Sequence, residues 1–442
     1  MSSAVVPYIA NILFSTRLLN LKRALHERKR KRQQQPHLVT VYLSINDAYS
    51  YLLIQALVEL QSRYGIEFDF RCVLNKQAQM YPAPSLWDKN AFEDGQYLSE
   101  IYNLEFPTHP PKHSSLLNTQ ATAQLLHWEL EPGFLDKALS LFKAYWQGSE
   151  LDIQKMLNPA ITSHTECYQH HLLANEALLK NNGHYLSAML HYGGEWYWGL
   201  DRLQYLERRL NALSIENNPK TVRYDLGQRN FCKQLPANII QSACEKGLNK
   251  IPIEMYWSIR SPYSYIALIR AKELANHYQV PLVVKPVLPM VMRRMQVPNA
   301  KKFYISLDAK REAKQCGIDF GLIADPLGAG VERCYALYDW AQSNGRGLEY
   351  LESYARGVWA EGIRSDTDKG LQKIVERSGL NWQEARQQLK GDTWKSWAQN
   401  NLAQLYGEDM WGVPSFKYLN TRLFGQDRIN CLESVIVKRF EN

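Results

Sequence analysis

Residues 256–265 read Y-W-S-I-R-S-P-Y-S-Y, and a closely similar stretch, Y-L-S-I-N-D-A-Y-S-Y, stands 214 residues earlier at 42–51. A second matching pair lies near the end of each half, with Y-W-G-L-D-R-L-Q-Y-L-E at 197–207 and L-F-G-Q-D-R-I-N-C-L-E at 423–433. A period of about 200 residues is too long for a solenoid repeat and indicates copies of a whole domain. The chain is therefore predicted to contain two copies of one domain.

The hydrophobic pattern around both motifs alternates between strand and helix periods. A strand, a helix and a second strand are predicted at 37–43, 48–64 and 66–73 in the first half, and at 251–257, 262–278 and 281–287 in the second. Each half continues with a long helical block, a hairpin and a last helix. This is the layout of a thioredoxin-like fold with an inserted helical subdomain. The predicted fold class is therefore α/β, with two tandem thioredoxin-like domains that each carry such an insertion.

The predicted domain boundaries follow changes in composition. Residues 1–36 are predicted to form a basic amphipathic helical arm, residues 37–214 the first thioredoxin-like domain, and residues 249–442 the second. Residues 215–248 are polar, contain N-N-P at 217–219 and lack a long apolar period. They are therefore predicted to be the linker.

The positive charge of the chain is concentrated at its N-terminus. The net charge of the 442 residues is +8, and residues 1–35 contribute +7 of it, from eight Lys and Arg side chains against Glu27. Because the remaining residues are close to neutral, the body of the protein is not predicted to bind nucleic acid.

The arm has two interpretations. Its apolar stretch at 5–14 is too short to span a bilayer. Its basic residues follow that stretch, whereas in a secretory signal they precede it. The arm is then either a helix that packs on the body and ends in a solvated basic run, or an amphipathic helix on an anionic membrane surface. The second interpretation would make the protein membrane-peripheral.

Cysteine usage indicates a reducing compartment. The seven cysteines are an odd number and form no C-x-x-C motif, so neither a disulfide framework nor a dithiol redox site is indicated. The predicted location is cytoplasmic. No metal site is predicted. One group of possible zinc ligands is close together in the sequence, but no second pair of His or Cys residues stands at a spacing that would complete a zinc site. That group is His164, Cys167, His170 and His171.

Three short motifs in the second half combine structural and chemical signals. Ser261-Pro262 suits a helix start, and a hydroxyl at a helix N-terminus also stabilises an anion such as a thiolate. Val413-Pro414 suits an edge strand, and a cis bond there would present the N–H and C=O groups of Val413 to an extended peptide. Asp427 suits an N-cap, and its carboxylate can also bind an ammonium group.

Residues 251–440 resemble the group of 2-hydroxychromene-2-carboxylate isomerases and kappa-class glutathione transferases, within the DsbA-like thioredoxin superfamily. The resemblance is carried by S-P-Y-S-Y at 261–265, G-V-P-S-F at 412–416, G-Q-D-R at 425–428 and D-A-K-R-E-A-K-Q-C-G-I at 308–318. It implies glutathione as cofactor or co-substrate, with Ser261 as the catalytic residue that hydrogen-bonds the thiolate. The other glutathione contacts that it implies are Trp411, Gly412, Val413, Pro414, Gln426, Asp427 and Asn401.

The first half departs from this pattern at its chemical positions. Asp47 stands at the place of Ser261, Ala48 follows it, and Ala188 and Leu200 replace the proline and the glutamine. A carboxylate beside a helix N-terminus repels a thiolate. The first half is therefore predicted to be a non-catalytic copy that stands in for the partner subunit of homodimeric relatives. The expected assembly is a monomer with pseudo-dimeric halves, or a homodimer.

The predicted function is that of a glutathione-dependent isomerase or transferase acting on a hydrophobic, electrophilic small molecule. Dithiol–disulfide exchange is disfavoured, because S-P-Y-S occupies 261–264, where a C-x-x-C site would stand. One alternative is a DsbA-like binding or scaffold protein without catalysis. Another is a membrane-associated assembly factor that works through residues 1–35.

Overall fold

The computed structural model describes residues 6–77, 80–81, 83–213, 220–225, 227, 230–295 and 297–442. The chain divides into two compact units. One unit, called here the N-terminal unit, consists of Leu21–Gln228. The other, the C-terminal unit, consists of Arg229–Asn442 together with Met1–Asn20.

The chain begins with two helices, α1 (Val6–Leu13) and α2 (Thr16–Arg32). The division between the units falls within α2, after Asn20. Phe14, between the two helices, packs edge-on against Phe303 with ring centroids 5.6 Å apart. Among the described residues, no helix is both long enough and apolar enough to cross a membrane.

The N-terminal unit is built on a four-stranded sheet with the order β2-β1-β3-β4. Its strands are β1 (Leu38–Leu43), β2 (Glu67–Cys72), β3 (Met189–Tyr192) and β4 (Glu195–Trp198). β1 runs parallel to β2 and antiparallel to β3, which pairs in turn with β4. The helices are α3 (Ala48–Arg63), α4 (Pro84–Tyr102), α5 (Ser115–Trp128), α6 (Phe134–Gln147), α7 (Glu150–Met156), α8 (Pro159–Thr162), α9 (Glu166–Asn181) and α10 (Leu203–Ala212).

The C-terminal unit has a sheet of the same topology, with the order β6-β5-β7-β8. Its strands are β5 (Ile253–Trp257), β6 (Leu282–Pro286), β7 (Ser415–Tyr418) and β8 (Thr421–Phe424). β5 is parallel to β6 and antiparallel to β7, and β7 pairs with β8. The helices are α11 (Ala237–Glu245), α12 (Pro262–Tyr278), α13 (Asn299–Gln315), α14 (Ala329–Ser343), α15 (Gly347–Trp359), α16 (Asp368–Arg377), α17 (Trp382–Gln388), α18 (Trp394–Gly407) and α19 (Ile429–Glu441).

The core of each unit lies between the sheet and the helix that follows its first strand. In the N-terminal unit, Val39 and Val41 of β1 are fully buried and α3 buries most of its surface. In the C-terminal unit, Met255 of β5 and Leu268 of α12 are fully buried in the same way. Two four-stranded sheets of this topology, each with inserted helices, confirm the predicted class of two thioredoxin-like domains.

The predicted linker contains regular structure in its second half. Helix α11 lies within it, a 3-10 turn (Leu248–Lys250) begins at its last residue, and Ile240 of α11 is buried. The buried carboxylate of Glu433 accepts the backbone N–H groups of Cys232 and Gln234, at 2.6 and 3.0 Å. The N-N-P motif at 217–219 lies outside the described residues.

Candidate functional site

Ser261 stands at the N-terminus of α12, directly after the loop that follows β5. Its backbone is extended and its Oγ accepts the N–H of Ser264 at 3.1 Å, so it caps the helix. Pro262 is the first helical residue, where its missing N–H costs nothing. The Ser261 hydroxyl also donates to the carbonyl of Val413 at 3.4 Å. The structure therefore brings the 261–265 motif against the 412–416 motif.

The loop before β7 presents the backbone of Val413 beside Ser261. The Val413–Pro414 peptide bond is cis. The carbonyl of Pro414 accepts the N–H of Gly425 at 2.9 Å, while that of Gly412 accepts the Ser415 hydroxyl at 2.8 Å. In the part of the chain that the structure describes, the N–H of Val413 has no recorded hydrogen-bond partner. The N–H of Val413 is therefore available to an extended ligand, while its carbonyl accepts the Ser261 hydroxyl.

Gly412 and Trp411 pack this loop against β8. A Cβ atom on Gly412 would lie 2.6 Å from the ring of Phe424, closer than side chains approach one another. The ring of Trp411 is buried and packs at a tilt against the same Phe424 ring, with centroids 5.3 Å apart. Both residues are thus fixed by packing at the edge of the Ser261 site.

A charged pair lies immediately before Ser261. The guanidinium of Arg260 donates to both carboxylate oxygens of Asp325, each at 2.8 Å, and Arg260 is mostly buried. This bidentate geometry fixes the fork of the arginine in one orientation. The pair is neutral overall, so the groups at this end of α12 that favour an anion are the N–H groups of its first turn, which carry partial positive charge.

Gln426, a predicted glutathione contact, has a side chain that is buried within the C-terminal unit. It is fully buried, and its amide nitrogen donates to Glu312 at 2.6 Å and to Asp427 at 2.7 Å. Its side-chain oxygen accepts from Arg270, whose guanidinium also binds the Gln426 carbonyl at 2.6 Å. Arg270 lies on α12, nine residues beyond Ser261. Both the oxygen and the nitrogen of the Gln426 side-chain amide therefore already have protein partners.

Asn401 makes a structural contact at the carboxyl end of β6, which is the same end of the sheet at which the parallel strand β5 leads to Ser261. Its amide nitrogen donates to the carbonyl of Pro286, the last residue of β6, at 2.9 Å. In the N-terminal unit, Asn175 makes the equivalent contact with the carbonyl of Cys72 at 3.1 Å. This shared contact ties the last helix of each helical block to the second strand of its sheet.

The structure thus groups Ser261, Gly412, Val413 and Pro414 around the start of α12, with Trp411 packed behind them. Sequence reasoning missed three further contacts there: Arg260 with Asp325, Tyr263 with Asp308, and Arg270 with Glu312 through Gln426. The position of Arg260 next to the motif was a usable signal. The partners on α13, Asp308 and Glu312, lie within the 308–318 stretch that carries the resemblance, but the stretch itself does not show that they contact α12 and Gln426.

The equivalent place in the N-terminal unit is filled by a carboxyl group. Asp47 caps α3, and its Oδ2 accepts the N–H and the hydroxyl of Ser50 at 3.0 and 2.7 Å and the hydroxyl of Ser187 at 2.9 Å. Burial raises the pKa of the Asp47 carboxyl. Ala188, at the place of Pro414, has a left-handed backbone with φ of 54°. The start of α3 therefore differs from the start of α12. It has a carboxyl group in place of a serine hydroxyl, and a left-handed residue in place of the cis proline.

Comparisons with known proteins agree with this fold. Residues 252–437, within the C-terminal unit, match the family model of the DSBA-like thioredoxin domain. A search of curated proteins finds no match to the chain.

Among solved structures, the chain is similar to a 2-hydroxychromene-2-carboxylate isomerase, with 20% identity, a TM-score of 0.38, and coverage of 42% of this chain and 95% of the other. It is also similar to the cytosolic disulfide reductase DsbM from Pseudomonas aeruginosa, with 13% identity, a TM-score of 0.35, and coverage of 43% and 99%. A third similar structure is a putative protein disulfide isomerase from Nitrosomonas europaea, with 11% identity, a TM-score of 0.36, and coverage of 43% and 98%.

Proposed function

We propose that the C-terminal unit binds glutathione and presents its thiolate to a hydrophobic, electrophilic small molecule, as an isomerase or a transferase. The observation that carries this proposal is the Ser261 hydroxyl at the start of α12, 3.4 Å from the carbonyl of Val413. It lies in a DSBA-like thioredoxin domain that has serines at 261 and 264, where a redox pair of cysteines would stand.

The chemistry requires a thiolate at neutral pH. A free thiol has a pKa of about 8.5, so only a few per cent of it is ionised at pH 7, and lowering that pKa by two units takes about 2.7 kcal/mol of interaction with the anion. A hydroxyl donor and the positive end of a helix are groups that supply interactions of this kind. The bond from Ser261 to Val413 is long, so the hydroxyl can turn toward a thiolate at small cost.

The surrounding residues suit part of the tripeptide. Val413 offers its N–H and C=O groups to the cysteinyl backbone, and Gly412 leaves room beside it. We propose Gln426 and Asp427 together as the γ-glutamyl contacts, with the Gln426 amide also holding the Asp427 carboxylate. Transfer and isomerisation share the attack of the thiolate on the electrophile. They differ in whether glutathione is expelled afterwards.

The proposal also covers the location of the protein, the role of the N-terminal unit and the assembly. The seven cysteines are all free, which suits a reducing compartment rich in glutathione, and we propose a cytoplasmic location. The N-terminal unit is proposed to be non-catalytic, since Asp47 holds the place of Ser261. The assembly is proposed to be a monomer with pseudo-dimeric halves or a homodimer.

Calorimetric titration with reduced glutathione near pH 7 tests this function. Ser261→Ala is expected to weaken binding about tenfold and to raise the pKa of the bound thiol by about one unit or more, measured by the ultraviolet absorbance of the thiolate. Asp47→Ala is the matched control at the start of α3 and is expected to leave both values unchanged. Absence of binding to the wild type at millimolar glutathione would overturn the proposal.

The burial of the Gln426 network favours one second candidate, a binding or scaffold protein without catalysis. In that case the amide of Gln426 serves only to join α12, α13 and the turn before α19. This candidate requires that glutathione does not bind and that Ser261→Ala changes only the stability of the unit. The same titration therefore separates the two functions.

A further inference from the structure

Helix α2 has an inward face that is fixed to the N-terminal unit. Arg23 forms a bidentate ion pair with Glu195, with both distances 2.8 Å, and Glu195 also accepts from Arg209 at 2.7 Å. One turn later, the ring of His26 lies edge-on to Tyr192, with centroids 5.5 Å apart. Because these residues recur at helical spacing, they set the rotation of α2 about its own axis.

The opposite face of α2 therefore points away from the unit. Leu21 and Leu25 are 55% and 56% exposed there, although both are large apolar side chains. Arg28 and Arg32 continue the same face, at steps of three and four residues, and are exposed as well. Two leucines followed by two arginines thus form one outward stripe, which we call the α2 stripe.

The charge around the α2 stripe is not neutralised within the protein. In the range that the structure describes, Lys22, Arg28, Lys29 and Arg32 take part in no recorded ion pair. The one acid on this part of the helix, Glu27, is bound to Arg30 at 2.7 Å on the inward side. Four uncompensated cations therefore surround two exposed leucines.

We infer that the α2 stripe binds the surface of an anionic lipid bilayer, with the helix lying parallel to the membrane. Anionic headgroups attract the four cations, and the leucines leave water only if the surface has an apolar layer below its charges. A nucleic acid offers the negative charges but no such layer, so it leaves Leu21 and Leu25 exposed. This inference uses no residue of the Ser261 site and is independent of glutathione binding.

Sedimentation of the full chain with lipid vesicles tests the inference. The wild type is expected to sediment with vesicles of equal parts phosphatidylcholine and phosphatidylglycerol and to remain in solution with phosphatidylcholine alone, with binding that weakens as salt rises. Leu21→Gln with Leu25→Gln, and separately Arg28→Gln with Arg32→Gln, are each expected to lower binding about tenfold or more.

Matched controls keep the result specific to the α2 stripe. Lys369→Gln with Lys373→Gln removes two exposed cations one turn apart on α16, and Leu130→Gln with Leu151→Gln removes two exposed leucines elsewhere in the N-terminal unit. Neither pair is expected to change vesicle binding. Undiminished binding of the Leu21 and Leu25 variant, or binding of a DNA duplex in preference to anionic vesicles, would overturn the inference.

Discussion

At the scale of single residues, Gly412 is the position where the least change should have the largest effect on the candidate site. A Cβ atom there would lie 2.6 Å from the ring of Phe424, and that ring also packs against Trp411. Because the ring cannot withdraw freely, Gly412→Ala is expected to cost about 1–3 kcal/mol of unfolding free energy. It should also displace Val413 and weaken glutathione binding. Denaturant unfolding and calorimetry measure the two effects.

A second glycine supplies the control for Gly412→Ala. A Cβ atom on Gly407, at the end of α18, meets no atom within 4 Å. Gly407→Ala is therefore expected to leave stability unchanged or to raise it slightly, since alanine restricts the unfolded chain. Phe424→Leu replaces the opposing ring with a smaller side chain, so combining it with Gly412→Ala should restore part of the lost unfolding free energy. Equal stability of the two alanine variants would contradict the packing argument.

The residue types at the site explain why part of it is predictable from the sequence. Ser261 and Pro262 mark a helix start through local geometry alone, so the motif itself locates the positive end of α12. The burial of Gln426 depends on Arg270 and Glu312, which lie far away in the sequence. No local pattern contains that information, so the partners of the Gln426 amide inside the unit could not be predicted, and its contact with glutathione stays a prediction.

At the scale of elements, the hairpin of β3 and β4 contains a histidine that should make the N-terminal unit sensitive to acid. His191 pairs across the hairpin with Trp196, with ring centroids 4.4 Å apart. Burial, followed by the nearby charge of Arg209, lowers the pKa of His191 to about 4. Burial also lowers the pKa of His26 and of His37 beside it. The folded unit therefore holds neutral rings where the unfolded chain would take up protons.

The sign of the pH effect follows from this difference in proton binding. In the unfolded chain His191 binds a proton as the pH falls below 6.5, whereas in the folded unit it stays neutral until about pH 4. Unfolding free energy should therefore fall over this window, by about 3 kcal/mol from this group. His191→Phe keeps an aromatic ring opposite Trp196 and removes the titrating group. It is expected to flatten the pH dependence of the denaturant midpoint between pH 7 and pH 5.

An exposed histidine provides the comparison for His191→Phe. His109 lies at the surface of the same unit, so His109→Phe should retain the full loss of stability in acid. If His191→Phe and His109→Phe lose stability equally as the pH falls, the acid sensitivity does not come from the buried ring in the hairpin.

Elements differ in how far the sequence alone defines them. The strand–helix–strand segments are predictable because their apolar residues repeat at a single local period, as in β5 and α12. Helix α11 is not, since it is short and buries little beyond Ile240 and Ala243. A helix of that length depends on packing for its stability, and packing is not visible in its own residues.

At the scale of the whole molecule, the two units share details that go beyond strand order. Glu207 of α10 and Glu433 of α19 are both fully buried. Each accepts backbone N–H groups of a neighbouring segment: Glu207 those of Arg223 and Tyr224, and Glu433 those of Cys232 and Gln234. This agreement is what two copies of one domain would retain for structural reasons, although the duplication itself stays a prediction.

The units differ at the start of their central helices, and this difference predicts how much ligand the chain takes up. Asp47 is buried and its Oδ2 already accepts the hydroxyls of Ser50 and Ser187, so this position leaves no opening for a thiolate. Calorimetry should therefore find one glutathione per chain. Asp47→Ser is expected to leave that ratio at one. The backbone at Ala188 is left-handed, so this loop does not present N–H and C=O groups to an extended ligand as Val413 does. Two glutathiones per wild-type chain would show that a carboxyl and a serine are equivalent at this position, which is incompatible with a mechanism in which the Ser261 hydroxyl stabilises the thiolate.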